Sequence, residues 1–273
     1  MSKILVTGCN GFIGKYVVKE LEKTSHNIIE TDKNKLFLQK SIDVKACLSH
    51  IMPDVVIHTA GLAHLGQCNN SPIEAVEVNI FGTANLLQAC RICRAKRIIY
   101  ISSSYVFSKE GGIYKVCKKA CEDLIREYYN LYSLNYTIIR CGTVYGVGSD
   151  ENNGIYNLVQ KAKKSELDNI NSPGTNSYFN SVREYIHVTD IAKGIVKSLE
   201  DKYINKELLL SGTQTKTEEE IIDMLKEMVI DKRNKNGHYN KIPYSYQPIQ
   251  NEKLTLDSYK DLGAGLLEMM ENE

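Results

Sequence analysis

Tyr114 and Lys118 stand four residues apart, the separation at which two side chains on a helix address the same point. A phenol and an ammonium so placed form a proton-transfer pair. A free phenol ionises near pH 10, and bringing that to about 7 takes roughly 4 kcal/mol of preferential stabilisation of the phenolate. A neighbouring ammonium and the positive charge of an oxidised nicotinamide can supply this in a low-dielectric cleft. The same spacing is common on surface helices. Here, however, it follows Ser102, Ser103 and Ser104 at the end of a predicted strand, where an open parallel sheet carries its site.

A second constellation lies near the start of the chain. Gly8, Gly11 and Gly14 fall between a predicted strand and a predicted helix, the setting that a dinucleotide fingerprint requires. Gly8 permits the tight turn, Gly11 lets the backbone approach a pyrophosphate, and Gly14 lets the helix pack closely. The N–H groups of Asn10, Phe12 and Ile13 then surround the anion at the helix start. Asp32 ends the next strand, where a carboxylate accepts hydrogen bonds from adenosine ribose hydroxyls and repels a 2′-phosphate. NAD is the expected cofactor; Lys33 and Lys35 keep NADP open.

The elements that must position these residues can be read from hydrophobic periodicity. Strands are expected at 3–7, 27–31, 54–58, 97–102 and 136–140, with helices at 12–22, around Leu86 to Cys90, and at 114–132. Near-continuous apolar strands alternating with helices predict an α/β, doubly wound parallel-sheet Rossmann domain. Beyond Tyr145 the pattern loosens into Gly-, Asn- and Ser-rich sequence with one helix near 158–164, read as the start of a small C-terminal substrate-binding lobe. A strand at 185–188, a helix at 190–199 and a strand at 208–210 are expected to return to the main sheet. The division is thus 1–145 plus about 185–212 for the dinucleotide domain, and about 146–184 and 213–273 for the lobe. Thr217 and Glu220 have capping-box spacing ahead of a helix at 221–229.

Composition excludes several classes. With 273 residues, 42% apolar content and a formal charge of +1, the chain can bury a large core but has no electrostatic case for nucleic acid or an anionic membrane. Its 17 tyrosines do not interleave with a basic run. The apolar stretch Ile4 to Val6 is too short for a signal-peptide core and no run approaches a membrane span, so a cytoplasmic protein with reduced thiols is expected. Cys90 with Cys93 and Cys117 with Cys121 have zinc-like spacing. The first pair lies near the end of one predicted helix and Cys117 near the start of another, so no metal site is assigned. His58 within a strand reads as a satisfied sheet residue.

The segments VTGCNGFIG (6–14), PDVVIHTAG (53–61), VNIFGT (78–83), ISSSYVF (101–107), YKVCK (114–118), RCGTVYG (140–146) and REYIHVTDIA (183–192) together resemble the extended short-chain dehydrogenases/reductases that act as nucleotide-sugar epimerases, dehydratases and reductases. The resemblance covers most of the chain. It implies that Tyr114 is the general acid/base, that Lys118 binds the nicotinamide ribose and lowers the tyrosine pKa, and that Ser103 bonds the reacting sugar oxygen. It further implies that Ala60 and Gly61 line the cofactor path, that Asn79 supports the site, and that Asp43 and Val44 hold the adenine. Ser104, Thr143 and Arg183 are implied on the substrate side, Arg183 at the nucleotide diphosphate.

Three departures bear on substrate identity: a short stretch from Ser104 to Tyr114, Cys141 where the family mostly has proline, and Thr143 where many members have asparagine. Dehydratases of this family carry acids after the catalytic serine or threonine; here Ser104 and Tyr105 stand there, with Glu110 a few positions on. The expected reaction is NAD(P)-dependent hydride transfer at a sugar carbon of a nucleotide-activated sugar. Epimerisation is the first choice, since VNIFGT resembles epimerases. Reduction of a 4-keto-6-deoxy sugar is the alternative, since SSYVF resembles deoxysugar reductases. A non-catalytic cofactor sensor is the rival outside enzymology, disfavoured because a sensor needs no proton donor. The expected partners are a nucleotide sugar and a second copy of the chain in a homodimer.

Overall fold

The computed structural model describes residues 1–167, 182–233 and 252–272, with only the backbone of 230–233. Contacts divide the chain into two units: Met1–Cys141, Ile191–Leu210 and Asn251–Thr255 make the first, and Gly142–Asp190, Ser211–Gln250 and Leu256–Glu273 the second.

The first unit is built on β1 (Lys3–Thr7), β2 (Asn27–Thr31), β3 (Val55–His58), β4 (Arg97–Ser103), β5 (Asn135–Cys141) and β8 (Lys206–Leu210). They form one sheet in the order β2-β1-β3-β4-β5-β8, with every pair parallel. Parallel strands need long crossovers, supplied by α1 (Phe12–Leu21), α2 (Ser41–Ile51), α5 (Gly82–Cys93) and α6 (Gly112–Tyr132). The chain order reverses between β1 and β3, the switch point of such a sheet. Because helices cover the sheet, its middle strands are buried on both faces; β4 is buried at all seven positions. Short helices α3 (Leu65–Asn70) and α4 (Pro72–Ala75) and a π-helical turn, Val76–Phe81, lead into α5. The sequence reading gave no helix at α2, α3 or α4, which are short or weakly periodic.

In the second unit β6 (Thr143–Tyr145), β7 (Arg183–His187) and β9 (Gln214–Lys216) form a separate three-stranded sheet. α7 (Gly154–Lys163), α9 (Glu218–Arg233) and α10 (Leu262–Asn272) pack around a core that includes Tyr145, Leu225, Leu266 and Met269. This corrects the expectation that the strand near Tyr185 rejoins the main sheet. β8 takes the edge of β5, whereas β7 pairs parallel with β6 and antiparallel with β9. Close approach at Gly212, where a Cβ would lie 1.8 Å from the Tyr185 carbonyl oxygen, makes room for that arrangement. The capping box forms as the spacing predicts: Thr217 N–H donates to Glu220 Oε2 at 2.8 Å and Glu220 N–H to Thr217 Oγ1 at 3.2 Å. The connecting helix α8 is Val188–Lys197. No described helix is long and apolar enough to cross a membrane.

Candidate active site

Two loops at the carboxyl ends of β1 and β3 meet first. Gly8 adopts φ +73°, a left-handed conformation that glycine enters without steric cost, and a Cβ there would lie 2.7 Å from Ala60 backbone atoms. At Gly14 a Cβ would sit 2.0 Å from the Gly8 carbonyl oxygen, so α1 can press on the loop only through glycine. Gly11 differs: its φ of −73° is ordinary, and a Cβ would meet only the Gly8 oxygen, at 3.2 Å. Protein packing alone therefore crowds this position little. No side chain caps α1, so the first N–H groups of the helix, including Phe12 and Ile13, have no side-chain acceptor. Asp32 Oδ1 accepts from the N–H groups of Asn34 at 3.0 Å and Lys35 at 3.2 Å, and Asn10 donates to its other oxygen. Partial burial opposes ionisation of Asp32, but these bonds prevail and hold its carboxyl below the usual range.

The phenol and the ammonium come from α6. Its buried residues, Tyr114, Cys117, Lys118, Cys121, Glu122 and Ile125, recur at the three- and four-residue steps of one helical stripe. Tyr114, Lys118 and Glu122 are thus successive turns of a face buried against the sheet. Ser103, the last residue of β4, is also buried; its hydroxyl accepts from Tyr105 N–H at 3.3 Å and acts on the Tyr114 phenol. Lys118 Nζ donates to the Ile101 carbonyl at 2.7 Å and lies 5.7 Å from the Tyr114 ring centroid. Burial pushes the Tyr114 phenol well above its ordinary value, and the Ser103 hydroxyl only partly opposes the rise. Burial likewise lowers the Lys118 ammonium. In the protein alone burial therefore keeps Tyr114 protonated at neutral pH, and neither Ser103 nor Lys118 brings the phenol down to that range. The positive charge of an oxidised nicotinamide is the remaining agent that could do so.

Three further residues fix this corner. Asn79, in the π-helical turn, accepts from Leu62 N–H at 2.9 Å and donates to the Leu62 carbonyl at 3.1 Å, pinning the loop that begins at Gly61. A Cβ on Gly61 would lie 2.8 Å from Asn79 Oδ1 and 3.9 Å from Lys118 Nζ. π-Helical turns concentrate at functional sites, and the sequence pattern gave no sign of this one. His58 is bridged by Thr7 Oγ1 at 2.7 Å and Thr83 Oγ1 at 3.1 Å, a satisfied sheet residue whose pKa burial lowers to about 3. Glu122 accepts from Ser102 Oγ at 2.6 Å and from Arg140 at 2.7 and 3.0 Å. The sequence reading did not single it out, although it continues the four-residue step from Tyr114 through Lys118.

The sequence profile of the NAD dependent epimerase/dehydratase family matches residues 4–208. The chain belongs to this family. Among its relatives, the GDP-6-deoxy-D-talose 4-dehydrogenase of Aggregatibacter actinomycetemcomitans is 29% identical over 228 residues, covering 74% of this chain and 73% of the relative. The UDP-glucuronate 4-epimerase of Thermodesulfobacterium geofontis is 25% identical over 278 residues, covering 88% and 84%. In three dimensions the chain is similar to the UDP-glucose 4-epimerase of Thermotoga maritima solved with UDP-glucose, with a TM-score of 0.79, 20% identity, and coverage of 98% of this chain and 97% of that one. The Rossmann-type α/β fold is thereby shown.

As a member of the NAD dependent epimerase/dehydratase family, the chain uses NAD. The loop fits it: a Cβ at Gly11 would meet only the Gly8 carbonyl oxygen of its own fold, α1 starts uncapped, and the Asp32 carboxylate is already oriented. Asp43 and Val44 fall inside α2. Asp43 is exposed, whereas Val44 is buried and its N–H donates to the Lys40 carbonyl at 3.1 Å. Only the aspartate of that pair is thus open to a ligand. Ser104 opens the 3-10 turn Ser104–Phe107, and Glu110 is exposed ahead of α6. Thr143 and Arg183 belong to the second unit, on the paired strands β6 and β7. Cys141 ends β5 opposite Ser103, and burial pushes its thiol up to about 12. The sequence-named residues brought together in the first unit are therefore Ser103, Tyr114, Lys118, Gly61 and Asn79, and separately Gly8, Asn10, Gly11, Gly14 and Asp32.

Proposed function

We propose that the chain is a nucleotide-sugar epimerase in which Ser103, Tyr114 and Lys118 act on a sugar hydroxyl. The observation that carries this is the joint burial of Ser103, Tyr114 and Lys118, with the phenol and the ammonium one turn apart on the same helix face. Bound NAD supplies hydride transfer at the adjoining sugar carbon. Tyr114, protonated in the protein alone, gives its proton to the sugar oxygen when the keto form is reduced and takes it back when the alcohol is oxidised. Ser103 orients that oxygen with the phenol, and Lys118 holds the nicotinamide ribose. Asp32 receives the adenosine ribose hydroxyls, and the N–H groups at the start of α1 receive the pyrophosphate. Thr143 and Arg183 are assigned to the sugar nucleotide, with Arg183 on its diphosphate. The first unit serves as the dinucleotide-binding domain and the second as the substrate-binding lobe.

Epimerisation is favoured by similarity to a UDP-glucuronate 4-epimerase across most of both chains. A ketosugar reductase or dehydrogenase is the second reading, favoured by the 29% identity to a GDP-6-deoxy-D-talose 4-dehydrogenase. A panel of UDP-, GDP-, dTDP- and CDP-sugars, with and without added NADH or NADPH, separates them. An epimerase interconverts two stereoisomers with no net cofactor turnover; a reductase consumes one reduced nicotinamide per product. Stoichiometric consumption would replace the first reading by the second.

A further inference from the structure

The Lys118 ammonium is buried without a carboxylate salt bridge among the described residues. Burying an ammonium is costly unless something replaces its water. Glu122, one turn along, is engaged by Arg140, Arg126 and Ser102. The other titratable groups facing Lys118 are Tyr114, Cys117 and Cys121 on its own helix, Cys68 on α3, Cys141 on β5 and His58 on β3, and burial raises Cys117 like the other thiols. Burial raises the thiols and the phenol and lowers His58, so these are neutral near pH 7. What the ammonium does touch is the Ile101 carbonyl, at 2.7 Å, and the face of Tyr100, 4.8 Å from the ring centroid. A ring within about 6 Å attracts a cation, most strongly where water is excluded.

Tyr100 is well placed for this. It lies in the fully buried strand β4, is 1% exposed, and packs at 5.6 Å against the His58 ring. Nothing in the sequence pattern distinguishes it from an ordinary core aromatic. We propose that Tyr100 is a positioning residue whose ring face holds Lys118 as an ammonium, and that it thereby sets the upper pH limit of NAD binding. The proposal rests on the assignment of Lys118 to the nicotinamide ribose.

The test is NAD affinity of the full chain by titration calorimetry between pH 7 and about 10.5, for wild type, Tyr100→Phe, Tyr100→Leu and Lys118→Met. The window is bounded above by the ordinary lysine value. Wild type is expected to lose affinity as Lys118 deprotonates, and Lys118→Met to bind weakly without that fall. Tyr100→Phe, which keeps the ring, should retain the wild-type midpoint; Tyr100→Leu should move it down by about 1 pH unit. Coincident midpoints for wild type and Tyr100→Leu, or an equal shift in Tyr100→Phe, would overturn the proposal. An alkaline fall that persists in Lys118→Met would instead overturn the assignment of Lys118. Circular dichroism checks folding, and Tyr100→Met replaces the leucine variant if that does not fold.

Discussion

Arg140 grips Glu122 through two hydrogen bonds, Nε to Oε1 at 3.0 Å and Nη2 to Oε2 at 2.7 Å, and both side chains are almost wholly buried. The same carboxylate takes the Ser102 hydroxyl, and Arg140 lies 4.8 Å from the Phe107 ring centroid. One buried ion pair thus ties α6 to β5, to the end of β4 and to the turn after Ser103. Arg140 also pairs with Glu207 at 2.5 Å, so Glu122→Ala leaves the arginine one carboxylate and should cost less than the about 3 to 5 kcal/mol of a stranded buried partner, read by urea denaturation. A loss of that full size would mean that Glu207 does not compensate for Glu122. The pH dependence has a definite sign at the neighbouring carboxylate. The Arg126 hydrogen bond and the Arg126 and Arg140 charges hold Glu207 below the ordinary range. Its stabilisation is therefore complete above about pH 4.3, the unfolded value, and is lost as pH falls through the lowered folded value.

Tyr114→Phe should leave NAD affinity nearly intact and lower turnover by about 100-fold or more, the usual contribution of a general acid/base. Steady-state kinetics on a substrate from the sugar panel, with calorimetry for the cofactor, checks both parts. Wild-type turnover in the variant would remove Tyr114 from its assigned role.

Because burial keeps the phenol protonated in the protein alone, oxidised NAD should bring its ionisation down, since the nicotinamide adds a positive charge nearby. Ultraviolet difference titration of wild type against Tyr114→Phe reads this directly. The Tyr114 contribution should ionise at lower pH with NAD than without it; an unchanged midpoint would assign the lowering to something other than the cofactor.

Asp32 should make NADP a weaker ligand than NAD, because an oriented carboxylate accepts the 2′-hydroxyl and repels a phosphate. Asp32→Asn removes the repulsion and should narrow the gap. Equal or tighter NADP binding by the wild-type chain would show that Lys33 or Lys35 prevails.

Incubation with nucleotide-hexoses and NAD should yield no dehydrated 4-keto-6-deoxy product, since Ser104 and Tyr105 occupy the places after Ser103 where dehydratases resembling this chain carry acids. Expelling the 6-hydroxyl needs additional acid/base groups, and neither Ser104 nor Tyr105 is a carboxylate. Mass spectrometry for loss of one water decides it. A steadily accumulating dehydrated product would direct mutagenesis to Glu110, which lies exposed ahead of α6.

Local pattern determined much of this protein. Apolar runs of strand length marked β1 and β2 to the residue and β4 and β5 to within one residue at each end. The steps from Gly8 to Gly14 and from Tyr114 to Lys118 were legible because each constellation lies on one turn or one helix, where spacing in sequence is spacing in space. The tertiary structure alone decided the rest. Tyr100 beneath Lys118, Arg140 on Glu122 and Asn79 on Leu62 join separate elements, so no spacing encodes them. The ionisation of Tyr114 was likewise beyond the sequence: proximity to a lysine predicts a lowered pKa, but only packing reveals the burial that raises the phenol and lowers the ammonium.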